Sequence, residues 1–193
     1  VAITVAIALS LVAYSASTNL VGSWKNSLPD NAPNNLLFNI YDGEKENLVE
    51  FLKLNEIAIQ PLFPVTSARF QRLDSKKEID RTFNFTWMDK LPEGNEVIAG
   101  KWFENENNGI SISSEISERY ELQVNDQIVI DIAGKKISSF IQSIREVNWE
   151  NFSPNFFAIG FPDDFKEISS TFITSFHIPQ EKKPLSSQLM KTF

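Results

Sequence analysis

The groups able to do covalent or acid–base chemistry are few in this chain. It holds a single histidine, His177, and no cysteine among 193 residues. Thiol nucleophiles, cysteine metal clusters and disulfides are therefore excluded, and any Ser-His-Asp or imidazole-based metal site would rest on His177 alone. Strand alternation from Phe172 to Ile178 places Phe172, Thr174, Phe176 and Ile178 on one face and His177 beside Ile173 and Ser175 on the other. No serine stands in a Gly-x-Ser-x-Gly elbow. Asp163-Asp164 follows Pro162, so this carboxylate pair reads as a solvated turn or the first turn of a helix. Gly94, Gly100, Gly109 and Gly134 are isolated, and no Walker-type Lys-Ser/Thr accompanies them. These residues nominate no catalytic, metal-binding or cofactor-binding side chain. A hydrolase built on His177 remains only as a distant alternative.

Aromatic residues carry the other possibility, recognition. There are sixteen Phe and four Trp. Most must pack the interior, because an aromatic ring buries a large apolar area. Trp87, Trp102 and Phe103 lie in strand-like or strand-flanking sequence and are expected to pack. Trp149 and Phe152 differ, since they fall in a turn-rich stretch around Pro154, between two strands. They are the candidate interaction surface.

A net charge of -7 and scattered basic residues, paired only at places such as Lys76-Lys77 and Lys182-Lys183, exclude a phosphate-tracking nucleic-acid binder. The hydrophobic share of 42% is enough for a true core.

The elements that position these residues follow from periodicity. Residues 1 to 16 are almost wholly apolar and, extended to Leu20-Val21, approach the ~20 residues that span a bilayer. With Trp24 and Lys25 as interfacial anchors, residues 1–26 read as the end of a transmembrane helix. A Pro- and Asn-rich linker follows at 28–34, and the soluble part is expected to begin near Ser27.

Leu36 to Tyr41 reads as a strand. Asp42 can cap a helix carrying Leu48, Phe51 and Leu52 on one face, and extended sequence follows to Arg72, completing a β-α-β unit over 27–79. Residues 80–147 read as an inserted β-rich subdomain. Its strands are Asp80 to Trp87, with Phe83 and Phe85 on one face and Asn84 and Thr86 on the other, and Glu96 to Gly100. It also holds a short helix near 113–122 and a hairpin over 127–132 and 136–147, turned by Ala133-Gly134-Lys135. Residues 148–193 read as the second half of the first unit, with strands at 156–161 and 170–179 and a helix from Leu185. The expected fold is α+β: a split β-α-β, ferredoxin-like, porter-type subdomain carrying an insertion, with both ends cut from something longer.

Four segments carry a resemblance. They are Trp24 to Asn34 (Trp-x-x-Ser-Leu-Pro-x-x-Ala-Pro-Asn), Phe85-Thr86-Trp87, Val97 to Trp102 (Val-x-Ala-Gly-x-Trp), and Arg145 to Phe157 (Arg-x-Val-x-Trp, then Pro-Asn-Phe-Phe). The last is the most specific. With them, nearly the whole chain resembles the extracytoplasmic domain of FtsX/MacB-type ABC-transporter permeases, most nearly the YbbP-like subgroup. It departs at Glu121 and Asn125, where such permeases usually have glycine.

The resemblance implies a periplasmic domain held at the bacterial inner membrane. It would transmit motion driven by a separate YbbA- or LolD-like ATPase to the release of a lipophilic cargo or to a periplasmic partner, such as a lipid-cleaving esterase. It further implies that ATP binds the separate subunit, that this chain carries no cofactor and is not an enzyme, and that the permease can be dimeric. A periplasmic carrier module for a lipid-like ligand is the alternative.

Overall fold

The computed structural model describes residues 2–27, 32–72, 79, 81–104, 109–149 and 153–193. They form two compact units, Val1–Ala32 and Pro33–Phe193, so the boundary falls a few residues beyond the expected one near Ser27.

The first unit is helix α1, Ala2–Ser27. Its apolar residues recur at nearly every other position, not at helical spacing, so they gather on no single face. Ile3, Val5, Ile7, Leu9, Leu11 and Val12 are all exposed. The hydroxyls of Ser10 and Thr18 donate to the carbonyls of Ala6 and Tyr14 one turn back, at 2.9 and 3.0 Å, which satisfies them within the helix. Among the described residues no helix is long and apolar enough to cross a membrane. The described residues therefore do not show the membrane-spanning end expected over residues 1–26.

The second unit is mixed α and β. Its strands are β1 (Asn35–Ile40), β2 (Phe63–Arg72), β3 (Arg81–Trp87), β4 (Asn95–Gly100), β5 (Ile110–Ser113), β6 (Gln127–Ile132), β7 (Lys135–Val147), β8 (Ala158–Gly160) and β9 (Thr171–Phe176). Among the described residues six of them close on themselves in the order β2-β3-β8-β5-β7-β6 and back to β2, a barrel-like sheet. Closure removes free edges, and the interior is filled by Phe70, Phe83, Phe85, Ile110, Ile112, Ile128 and Ile130, all buried.

The pairings β3–β8 and β5–β7 are parallel. Parallel strands are covered on both faces, and β8 is accordingly buried at every residue. The strand expected at Phe156 to Phe161, in the second half of the β-α-β unit, is only three residues long and forms part of the barrel wall between β3 and β5. Burial on both faces also explains Thr86, which lies on the face of β3 opposite Phe83 and Phe85 and is fully buried all the same.

Two long strands join the barrel to its surroundings. β2 pairs with β9 over Phe63–Val65, then with β3 over Thr66–Phe70 and with β6 over Arg69–Arg72. In the same way β7 pairs successively with β6, β5 and β4. The barrel thus starts inside β2, earlier than the expected boundary at residue 80.

Sharp turns set the barrel's geometry. The β6–β7 turn contains only Ala133 and Gly134, at φ 51° and 88°, the two positive values of a tight primed hairpin. Helix α3 (Ser114–Tyr120) ends at Glu121 in the left-handed region, φ 55°, and Asn125 is left-handed too at φ 74°. Their backbone conformation is the one glycine adopts without cost. Glu121 is held by its surroundings, since the Leu122 amide donates to the Ser117 carbonyl at 2.9 Å and Ser117 Oγ donates to the Leu122 carbonyl at 2.7 Å.

The smaller layer places β9 between β1 and β2, antiparallel to both. Helices α2 (Lys45–Leu54) and α5 (Pro184–Thr192) supply Leu48, Leu52 and Leu189, which pack on Ile40, Ile57, Phe176 and Ile178. Asp42 does not cap α2 directly. Residues 42–44 form a 3-10 turn ahead of it, and Glu44 Oε2 accepts from the Tyr41 amide at 2.9 Å. A four-residue helix, α4 (Pro162–Phe165), has Pro162 in its first turn. Asp163 and Asp164 fall at its start, and burial with the neighbouring Asp163 charge raises the Asp164 carboxyl.

Candidate interaction surface

The most elaborate polar construction in the protein lies beneath Trp149. β7 delivers Arg145 to the barrel wall two residues before the strand ends at Val147. The guanidinium is fully buried. Its Nε donates to Ser111 Oγ at 2.8 Å, one terminal nitrogen donates to Asn95 Oδ1, and the other donates to the carbonyl of Phe156 at 3.1 Å. One side chain therefore ties β7 to β5, to β4 and to the segment entering β8. Ser143 Oγ donates to Ser111 Oγ at 2.8 Å and extends the network along β7. These partners are neutral. Burial pulls the guanidinium down to about 10, and the charge of Glu115 offsets only part of that.

From this anchor the network reaches the surface. Asn95 Nδ2 donates to Asn155 Oδ1 at 3.1 Å, and Asn155 Nδ2 donates to the Asn148 carbonyl at 2.8 Å, binding the two ends of the turn that carries Trp149. The Trp149 ring packs on Phe157 with centroids 4.7 Å apart. Its Nε1 donates to Glu115 Oε1 at the start of α3. Partial burial would raise the Glu115 carboxyl, but hydrogen bonds from the Trp149 indole, the Ser113 hydroxyl and its own backbone amide, with a smaller part from the Arg145 charge, outweigh it and hold the carboxyl below its usual range.

Trp149 nevertheless remains 42% exposed. It forms a wall shared by two open clefts. One, of about 340 Å³, is lined by Asn34, Leu36, Pro154 and Ile173. The other, of about 720 Å³, is lined by Arg81, Glu115, Arg119 and Phe157. The indole is held by a tilted ring and a carboxylate and keeps its outer face in water.

Of the expected surface pair, Trp149 is partly exposed just past the end of β7, and Phe152 lies outside the described residues. Trp87 and Phe103 are core, as expected of packing residues. Trp102 is half-buried against Phe103, its Nε1 donating to the Asp89 carbonyl at 2.8 Å. His177 sits half-buried one residue past β9. Among the described residues no group of three or more His, Asp or Glu side chains could hold a metal ion. Sequence reasoning quoted Arg145 within a motif but missed its role. The available signal was an arginine in the inward register of Ile141, Ser143 and Val147, where strand alternation calls for an uncharged side chain.

Trp149→Ala is expected to cost about 1 to 2 kcal/mol in urea unfolding, the worth of one half-exposed aromatic contact. A fully buried ring would cost about 3 to 5 kcal/mol. A loss in that higher range would make Trp149 a core residue and remove the reading of it as an exposed anchor.

No family model matches the chain. Among curated proteins it is 27% identical over 152 residues to the uncharacterized ABC transporter permease YbbP of Escherichia coli strain K12, a match covering 75% of this chain and 19% of that protein. The chain thus spans about a fifth of the length of this relative. Among solved structures, a domain described as coming from a permease protein of Porphyromonas gingivalis aligns with 13% identity and a TM-score of 0.40, covering 74% of this chain and 72% of that one. Over the matched residues, this chain is a homologue of an ABC transporter permease.

Proposed function

We propose that the chain is the periplasmic domain of an FtsX/MacB-type, YbbP-like ABC-transporter permease at the bacterial inner membrane. It couples motion driven by a separate ATPase subunit to the release of a lipophilic cargo or to the action of a periplasmic partner. The similarity to YbbP over 75% of the chain carries this reading, because an ABC permease works with an ATPase. The smaller layer, in which β9 splits the β1-α2-β2 unit, is on this reading the ferredoxin-like, porter-type subdomain.

The architecture suits a body that is moved as a whole. The barrel has closed its own edges, and Arg145 bonds its strands to the turn bearing Trp149, so displacement at one point is passed on without local yielding. Lacking cysteine, the chain accepts a unique label. In an otherwise cysteine-free full-length permease, reconstituted with its ATPase in nanodiscs, a donor dye on Glu118→Cys and an acceptor on lipid headgroups should show a distance change when ATP is added. Unchanged energy transfer while ATP is hydrolysed would overturn the mechanical reading.

A further inference from the structure

Two arginines stand unpaired beside Trp149. The cleft of about 720 Å³ on one side of the indole carries Arg81, from the start of β3, and Arg119, from the last turn of α3. Both are exposed, and among the described residues neither guanidinium has an ion pair or a hydrogen bond. Arg72 and Arg145, by contrast, are engaged inside the fold, by Asp126 and by the barrel network. Arg119 lacks a partner for a reason visible on its own helix. A glutamate four residues earlier is the usual mate of a helical arginine, and Glu115 occupies that place, but its carboxylate accepts from the Trp149 indole instead.

A continuous row of rings accompanies the two cations. Phe157 packs on Trp149 at 4.7 Å between centroids and edge-on against Phe83 at 6.4 Å, and Phe83 meets Tyr120 at 6.3 Å. The Arg81 guanidinium carbon lies 5.7 Å from the Phe83 ring centre, within the range at which a ring face attracts a cation. Ile116 adds to the apolar wall of the cleft.

We infer that this cleft docks an acidic peptide segment of a partner protein, one that sets an aromatic or aliphatic side chain against Trp149 and Phe157 and places carboxylates on Arg81 and Arg119. Arginine meets a carboxylate through two parallel N–H···O bonds, and tryptophan and arginine are both enriched where interfaces concentrate their binding energy. The cleft is open and too large to be filled by a lone carboxylate or phosphate, and an extended chain bearing side chains of both kinds matches it. A membrane surface matches it less well. Anionic headgroups would face a broad area of a chain with net charge -7, whereas a peptide lying in the cleft answers to charges within about 8 Å, the screening length at physiological ionic strength. Glu118, on the same cleft, is the local opposing charge. The inference deepens the partner arm of the coupling reading and rests on it.

A phage-displayed library of random dodecapeptides, selected on the full chain, should yield sequences in which Asp or Glu flanks an aromatic residue. Against the most enriched peptide, made synthetically, Arg81→Gln and Arg119→Gln should each weaken binding at least about tenfold. Glu118→Gln should tighten it, and added salt should weaken it for the unaltered chain. Both arginines are exposed, so the thermal midpoint of each variant should stay near that of the unaltered chain. If Arg81→Gln disturbs the packing of Phe83, Arg119→Gln decides alone. A selection that enriches nothing, enriched peptides without acidic residues, or acidic peptides whose binding ignores both arginine substitutions would each overturn the proposal. So would arginine-dependent flotation with phosphatidylglycerol vesicles in place of peptide binding, which would make the occupant a lipid surface. No ATPase enters this test, so its failure leaves the coupling reading standing, and unchanged energy transfer would remove that reading without altering the peptide result.

Discussion

Arg145→Ala is expected to lower the stability of the residue 33–193 unit by about 3 to 5 kcal/mol, through a cavity combined with stranded hydrogen-bond partners. The Phe156 carbonyl and Asn95 Oδ1 would lose the guanidinium, while Ser111 would keep only Ser143. Arg145→Met, which restores much of the volume but none of the bonds, should lose about half as much. Urea denaturation of both variants, compared at equal m-value, makes the measurement. A loss below about 1 kcal/mol for the alanine variant, the scale of an ordinary surface change, would show that the network contributes little.

The same site predicts a pH effect of definite sign. Burial lowers the guanidinium to about 10 in the fold, below its value in the unfolded chain. As pH rises above that point the folded state gives up the proton first, so the unfolded state binds more protons and stability linked to this group increases with pH. Below it, arginine is charged in both states and the burial cost is constant. Alkaline titration of the unaltered chain against Arg145→Met should therefore show the stability gap widening above pH 10. A constant gap would mean that Arg145 keeps its proton in the fold.

Gly160→Val should be comparably damaging for the opposite reason. A Cβ built on Gly160 would lie 2.7 Å from one Phe165 ring carbon and 2.8 Å from Phe85 Cζ, with a second Phe165 ring carbon closer still. Those two rings pack edge to face at 4.8 Å between centroids and are almost fully buried. They have no free volume into which to retreat. Overpacking of this kind typically costs about 1 to 3 kcal/mol, and a β-branched side chain at such distances belongs at the upper end or beyond. The diagnostic is coupling. Phe165→Leu alone should destabilise, yet in combination with Gly160→Val it should restore part of the loss. Strict additivity of the two changes would show that the clash is relieved elsewhere.

The sequence by itself determined the local elements and the inventory of chemistry. Apolar spacing located β1, α2, β3, the β6–β7 hairpin and α5 to within a few residues, because amphipathic period is written in neighbouring positions. Glycine and asparagine marked the Gly134 turn and the left-handed Asn125. One histidine and no cysteine bounded the reactions that could be considered, and Trp149 in its turn was legible as a surface aromatic.

What only the tertiary structure decided is non-local. β8, Ala-Ile-Gly, carries no periodicity that says which strands it joins. Its place between β3 and β5 depends on residues about 50 to 70 positions away, and such pairing is set by long-range closure that short windows do not record. The division of β2 between the smaller layer and the barrel is invisible for the same reason, since one strand of uniform β character was read as belonging to one subdomain. Arg145 shows in sequence only as a charge in the inward register of its strand, with nothing to say what meets it. It becomes the centre of the barrel wall only when Asn95, Ser111 and Phe156, drawn from three separate segments, are folded around it, for a buried charge is tolerable only where its donors are met.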